Sequence, residues 1–287
     1  MRRVLFLCYG TLAYAVSLVT ILYAIGFVGN LVVPKSIDTG REAPLGEAIP
    51  VNALLLGLFA VQHTIMARPA FKAWWKQVVP DAIERSTFVL CAGSLLLLLF
   101  WQWRPMTGVV WQVDAAAVRS ALTALSLLGW GIVLYSTFLI DHFDLFGMRQ
   151  VVLAFLGRPY VQQPFAERGL YRWVRHPLMA GFLLAFWSAP TMTQGHLLFC
   201  LLTTAYIFVG ITLEERDLLR ALGEEYQRYR ARTPMILPLP RSTRPAERPA
   251  RGGARDEAAV IRGEEQDGAR DLLESAEAPH RDQGDDQ

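Results

Sequence analysis

From Val4 to Pro34 the chain runs 31 residues without a charged side chain. A helix needs about 20 predominantly apolar residues to cross the hydrocarbon core of a bilayer. Further uncharged runs extend from Ser86 to Trp103, Ser120 to Ile140, Pro177 to His196 and Leu197 to Leu213. A bilayer leaves no backbone group free to go unsatisfied, so these runs predict helices. A hydrophobic content of 53% would not decide this alone, because a soluble domain can reach it. The distribution decides it. The expectation is an all-α fold, a polytopic transmembrane bundle of five to six membrane segments.

The segment Val51 to Met66 is interrupted by Gln62 and His63, yet makes a second span if Ile49 and Ala67 contribute. Polar groups at that depth are costly unless used or paired, and an interhelical hydrogen bond is the favoured reading for His63. The last two runs are separated by Ala189 to Gly195, with Pro190 and Gly195 as turn punctuation. They form two spans or a tight helical hairpin, and either way both ends of the pair lie on one side. Met1-Arg2-Arg3 before an apolar run resembles a signal peptide, but the run is too long and lacks a clean cleavage site. A retained first helix is expected.

Lysine and arginine bias sets orientation. Arg2 and Arg3 precede the first run, Arg68, Lys72, Lys76 and Arg85 fill the second connection, and Arg149, Arg158, Arg168, Arg172 and Arg175 fill the fourth. The third holds only Arg104 and Arg119. The rule predicts both termini on the cytoplasmic side of a bacterial inner membrane. Residues 1–240 read as the membrane domain. Residues 241–287 hold 8 Arg against 12 Asp and Glu with no aromatic residue, which predicts a disordered tail. Their mixed charge argues against a nucleic-acid arm. Cys8, Cys91 and Cys200 lie in apolar runs without a pairing pattern, and no metal-ligand cluster is visible.

Four constellations carry chemistry. In YRWVRHPLMAG, residues 171–181, Arg172, Arg175 and His176 crowd the start of an apolar run. Pro177 suits the first turn of a helix, which places His176 near its N-cap. A helix start flanked by arginines suits an anion, although the orientation rule accounts for part of the charge. Glu214 and Glu215 leave the last run as adjacent carboxylates that can hold an amine, a hydroxyl or a cation. Residues 218–232 then predict one amphipathic helix on the cytoplasmic face, with Leu218, Leu222, Tyr226 and Tyr229 along one side and Arg220, Arg228, Arg230 and Arg232 on or near the other. Last, Asp141-His142-Phe143-Asp144 sets a histidine beside two carboxylates.

The order Tyr-Arg-x-x-Arg-His-Pro, Gly181, a helical hairpin, Glu214-Glu215, Leu-Gly-x-x-Tyr-x-x-Tyr and a proline resembles the membrane methyltransferases related to isoprenylcysteine carboxyl methyltransferase. It also resembles nitrogen-oxide-associated membrane proteins of the same superfamily. QHTIMARPAFKAWW (62–75), IERSTFVL (83–90) and DHFDLFGMRQ (141–150) look like the methanethiol S-methyltransferase family. The resemblance covers roughly residues 1–238. It implies S-adenosyl-L-methionine as methyl donor, bound between the last hairpin and the C-terminal helix. The matching positions are Tyr171, Arg172, Arg175, His176, Pro177, Gly181, Glu214, Glu215, Tyr226 and Tyr229. Arg172 or Arg175 would take the donor's carboxylate, Glu214 or Glu215 its ribose or amine, and the tyrosines its adenine or sulfonium. The implied acceptor is a small thiol, reactive as thiolate. Arg175, Glu215 and His142 are the catalytic candidates, with Glu215 and His142 both open as the base. Alternatives are a prenylcysteine or lipid acceptor, or a non-enzymatic role in nitrogen-oxide respiration.

Overall fold

The computed structural model describes residues 1–163 and 165–238. The expected tail, 241–287, lies outside the described residues. Among these, five helices are long and apolar enough to cross a membrane: α1 (Arg2–Gly29), α2 (Leu45–Ala67), α4 (Asp81–Gln102), α5 (Ala116–Ile140) and α9 (Gln194–Leu222). Short helices α3 (Pro69–Trp75), α6 (His142–Leu145) and α7 (Met148–Leu156) link them at one end. A two-stranded antiparallel pair, β1 (Val109–Gln112) with β2 (Thr191–Thr193), closes the other end. The chain is a multi-pass helical membrane protein, as its uncharged runs require.

The run from Pro177 is not a full span. Helix α8 (Pro177–Trp187) has 11 residues, about 16 Å at the helical rise and roughly half of the hydrocarbon core. Extended chain and β2 complete the crossing. Non-helical backbone survives at such depth only when protein groups satisfy it. Ser126 donates to the Ala185 carbonyl at 2.8 Å, and Trp111 donates to that of Ala189 at 3.2 Å. His196 and Cys200 both contact the Phe186 carbonyl, at 2.9 and 3.2 Å. Thr193 then caps α9 by accepting from the His196 amide. The His196 Nε2 and the Cys200 thiol are thus spent on the broken end of α8.

Strand β1 sits in the α4–α5 connection and β2 in the α8–α9 connection, so pairing puts both at one end. The α1–α2 connection joins them, because the Trp103 indole donates to the Ile37 carbonyl. Met1, α3, α6, α7 and the C-terminal helix therefore share the opposite end. An aromatic cluster of Phe27, Phe100, Trp103, Phe186 and Phe199 packs beneath the β pair.

Helices α5 and α8 cross at backbone contact. A Cβ on Gly129 would lie 2.5 Å from the Ala185 nitrogen, and one on Gly181 would lie 2.7 Å from the Gly129 carbonyl oxygen. Small residues let membrane helices approach this closely, where dispersion rather than hydrophobic burial holds them. This contact fixes the height of the α8 start, and with it Arg175 and His176.

The expected single amphipathic helix over 218–232 is two elements. Helix α9 continues to Leu222, and α10 (Glu224–Arg232) starts after Gly223, at φ 55° and ψ −123°. Residues with a Cβ rarely adopt positive φ. Leu218 and Leu222 belong to the long helix, whereas Tyr226 and Tyr229 are buried on α10.

Candidate active site

Pro177 opens α8 and His176 is its N-cap residue, as their sequence order suggested. The chain beyond α10 folds back along this start. The amides of Arg175 and His176 donate to the carbonyls of Pro234 and Met235, at 2.9 and 3.0 Å. The buried Arg175 guanidinium faces the same segment. It donates to the carbonyls of Arg230 and Thr233 at 3.1 and 2.6 Å, and to the Glu215 carboxylate at 2.7 Å.

Glu215 collects three partners. Its Oε1 meets Arg175 and the His176 Nε2 (3.1 Å), and its Oε2 meets Arg230 at 3.2 Å. A carboxylate is acceptor only, so the shared proton sits on the His176 Nε2. One buried carboxylate thereby ties together the start of α8, the end of α9 and α10. Glu214, one residue earlier, is rotated about 100° around the helix. Its side chain is 49% exposed, and its Oε2 lies 3.6 Å from the His176 Nδ1.

Tyr226 and Tyr229 pack with Phe165, at ring distances of 6.0 and 5.3 Å, over this cluster. The Tyr229 hydroxyl donates to the Tyr171 carbonyl at 2.6 Å. Burial, and then the Glu167 charge, pushes its pKa up to about 12. Burial and then Glu214 raise the Tyr171 phenol, and burial and then Glu215 raise Tyr226. All three remain neutral donors near neutral pH. The Tyr226 hydroxyl is buried with no partner among the described residues. Arg172 is exposed and gives one bond, to the Glu167 carbonyl. Gly181 faces α5 rather than the Glu215 cluster.

His142 lies elsewhere, between α1 and α5. Its Nδ1 is 2.8 Å from the Thr137 hydroxyl and its Nε2 is 3.0 Å from the Tyr14 hydroxyl. Thr137 spends its one proton on the Leu134 carbonyl, so it accepts from Nδ1–H. The Nε2 lone pair then accepts from Tyr14. Phe138 stacks on the ring at 4.3 Å. The nitrogen that would act as a base is therefore committed to Tyr14, whose part sequence reasoning did not foresee.

Burial lowers the His142 pKa, with Asp141 opposing. A lowered folded pKa means the unfolded chain binds the proton first as pH falls. Wild type is expected to lose thermal stability from pH 7 to 5, and His142→Gln to lose less. Parallel melting curves in detergent at the two pH values measure the difference.

Fold and site together define a multi-pass membrane protein whose last long helix carries a buried carboxylate clasped by the start of a half-length helix and by a C-terminal amphipathic helix. Residues 82–233 match the family model described as a protein of unknown function, DUF1295. Methanethiol S-methyltransferase of Mycobacterium tuberculosis is 56% identical over 240 residues, 84% of this chain and 98% of that protein. The enzyme of that name from Crocosphaera subtropica is 46% identical over 239 residues, 83% and 94% of the two chains. Mouse nurim is 33% identical over 184 residues, 61% and 69%. No solved structure matches significantly. The chain belongs to the methanethiol S-methyltransferase family.

Proposed function

We infer that this protein methylates methanethiol to dimethyl sulfide, with S-adenosyl-L-methionine as methyl donor. The observation that carries the reading is that the chain covers 82–98% of relatives bearing that name, at 46–56% identity. The acceptor is a small thiol, and the bilayer gives it access because it partitions into lipid. Both termini and the site lie on the cytoplasmic side of the inner membrane, where lysine and arginine concentrate.

The residues present fit the donor. An orphaned buried hydroxyl (Tyr226) and a half-exposed carboxylate (Glu214) are complementary to a zwitterion rich in hydroxyl groups. Bound there, the donor supplies a sulfonium methyl group. Arg175 commits its Nε and Nη1 donors inside the protein, which leaves Arg172 as the guanidinium for the donor's carboxylate. Glu214 takes the amine or ribose, and Tyr171, Tyr226 and Tyr229 close over the bound molecule. Glu215, Arg175, His176 and Pro177 hold this arrangement and exclude water from it. Positioning of this kind supplies much of the rate of an in-line displacement.

Purified protein given methyl-labelled S-adenosyl-L-methionine and methanethiol should release labelled dimethyl sulfide. Donor binding without that product would sink the acceptor assignment. Charge-assisted hydrogen bonds contribute about 1.5–3 kcal/mol. Arg172→Ala is therefore expected to weaken donor binding by roughly 10- to 100-fold with little change in melting temperature, as read by calorimetry.

A further inference from the structure

The polar pair within α2 has no part in the cluster around Glu215. The interhelical hydrogen bond expected for His63 is not formed. Its Nδ1 is sealed from solvent with no hydrogen-bond partner among the described residues. Aromatic rings surround it instead: Phe59 from α2 at 5.3 Å, Phe88 from α4 at 4.9 Å and Tyr206 from α9 at 6.5 Å. The Arg85 guanidinium lies 4.7 Å over the ring of Phe88. Arg68 sits five residues beyond His63 and pairs with Asp217 of α9 at 2.7 Å.

A buried polar atom left unpaired is costly, so proteins rarely keep one without a reason. With the proton on Nε2, Nδ1 is an acceptor, and its missing partner is then small, mostly apolar and able to donate a proton. A thiol is that kind of molecule: its S–H is a weak donor and its sulfur packs favourably on aromatic rings. Adjacent guanidinium groups favour the thiolate over the thiol, and by the same sign they keep the resting imidazole neutral, with a lone pair free to take the proton. Through Tyr206 the cage lies on the same helix as Glu214, about 12 Å along its axis. Tyr206 and Glu214 share helix α9, and Arg68 acts on Glu214 as well as pairing with Asp217.

We propose that His63 is the general base for the methyl acceptor, and that Phe59, Phe88 and Tyr206 form the seat of its methyl group. The inference rests on the thiol methylation proposed above. The S–H bond of methanethiol breaks, its electron pair stays on sulfur and the proton joins the imidazole. The thiolate pair then forms the new bond to the sulfonium methyl carbon, and the old carbon–sulfur pair remains with the donor sulfur. The proton leaves His63 for water after product departs.

The test compares wild type with His63→Ala. Calorimetry with S-adenosyl-L-methionine is expected to give an affinity within about 2-fold, since the donor site is intact. General-base removal typically costs 10²- to 10⁴-fold, so kcat/KM for methanethiol at pH 7 is expected to fall at least about 100-fold. In the variant it should climb about tenfold per pH unit from 7 to 9, as thiolate from solution takes over, while wild type changes little. Arg68, Lys72, Glu84, Arg85, Tyr206 and Asp217 also face this region. They are common to both proteins, so the difference in profile isolates His63. A variant rate within about fivefold of wild type, or an unchanged pH profile, overturns the proposal. If His63→Ala does not bind the donor, His63→Gln, which keeps size and polarity but is no base, is judged by the same measurements. Failure of both to bind makes His63 structural and also overturns it. Wild type that binds donor but yields no dimethyl sulfide refutes the function itself, a distinguishable result.

Discussion

Glu215→Ala is expected to lower the melting temperature in detergent by on the order of 10 °C and to abolish donor binding. The carboxylate is 8% exposed and its partner Arg175 is 4% exposed. Removing one member of a buried ion pair leaves the other charge uncompensated, which costs about 3–5 kcal/mol. In a chain of this size each kcal/mol moves the melting temperature by roughly 2–4 °C. Arg175 would then keep only the carbonyls of Arg230 and Thr233, and His176 would lose the acceptor of its Nε2 proton. Arg230 is half exposed, so its contact with Glu215 adds little. Three elements are released together, which is why binding and stability should fail together. Arg175→Ala should do the same. The double variant Arg175→Met with Glu215→Leu should cost clearly less than the two single losses combined, because no charge is then stranded. Melting within about 2 °C of wild type for Glu215→Ala would show that the cluster does not hold this end.

Gly181→Leu is the second large effect. The added side chain would start 2.7 Å from the Gly129 carbonyl oxygen and 2.9 Å from the Val133 nitrogen. Both are backbone atoms of α5, so no rotamer change relieves the clash, and α8 must move away. Overpacking costs about 1–3 kcal/mol when side chains can adjust, and here they cannot, so the upper end or beyond is expected. Displacing α8 also displaces Arg175 and His176, so donor affinity should drop with stability. Gly57→Ala and Gly210→Ala serve as controls. A Cβ at either position meets nothing within 4 Å, and both should fold as well as wild type. Thermal melting and donor calorimetry on the four proteins check the set, and a Gly181→Leu protein as stable as the controls would refute the crossing.

Much of the site was legible because its residues sit at element boundaries that leave a sequence signature. Pro177 marks a helix start, so His176 could be set at its cap. Gly223 was less legible, because the apolar spacing of Leu218, Leu222, Tyr226 and Tyr229 continues through it. The positive φ that breaks the helix is a backbone property the spacing does not contain. Glu214 and Glu215 are adjacent letters with different surroundings, one half exposed and one clasped by two arginines and a histidine. Which is which depends on the rotation of α9 about its own axis, set by packing. His142 looked reactive beside two carboxylates. The structure gives its nitrogens to Tyr14 and Thr137, 128 and 5 residues away.

Hydropathy alone set the class of protein, five to six membrane segments and the residues gathered near one membrane face. Hydropathy is a local sum over neighbouring side chains, and a bilayer reads it directly. Only the tertiary structure decided that α8 stops halfway, that Arg175 is spent on Glu215, and that His63 keeps an unpaired nitrogen inside an aromatic cage. Each of these depends on which groups from distant segments meet in the low-dielectric interior. There an available partner decides whether a polar atom is fixed in place or left open for a substrate.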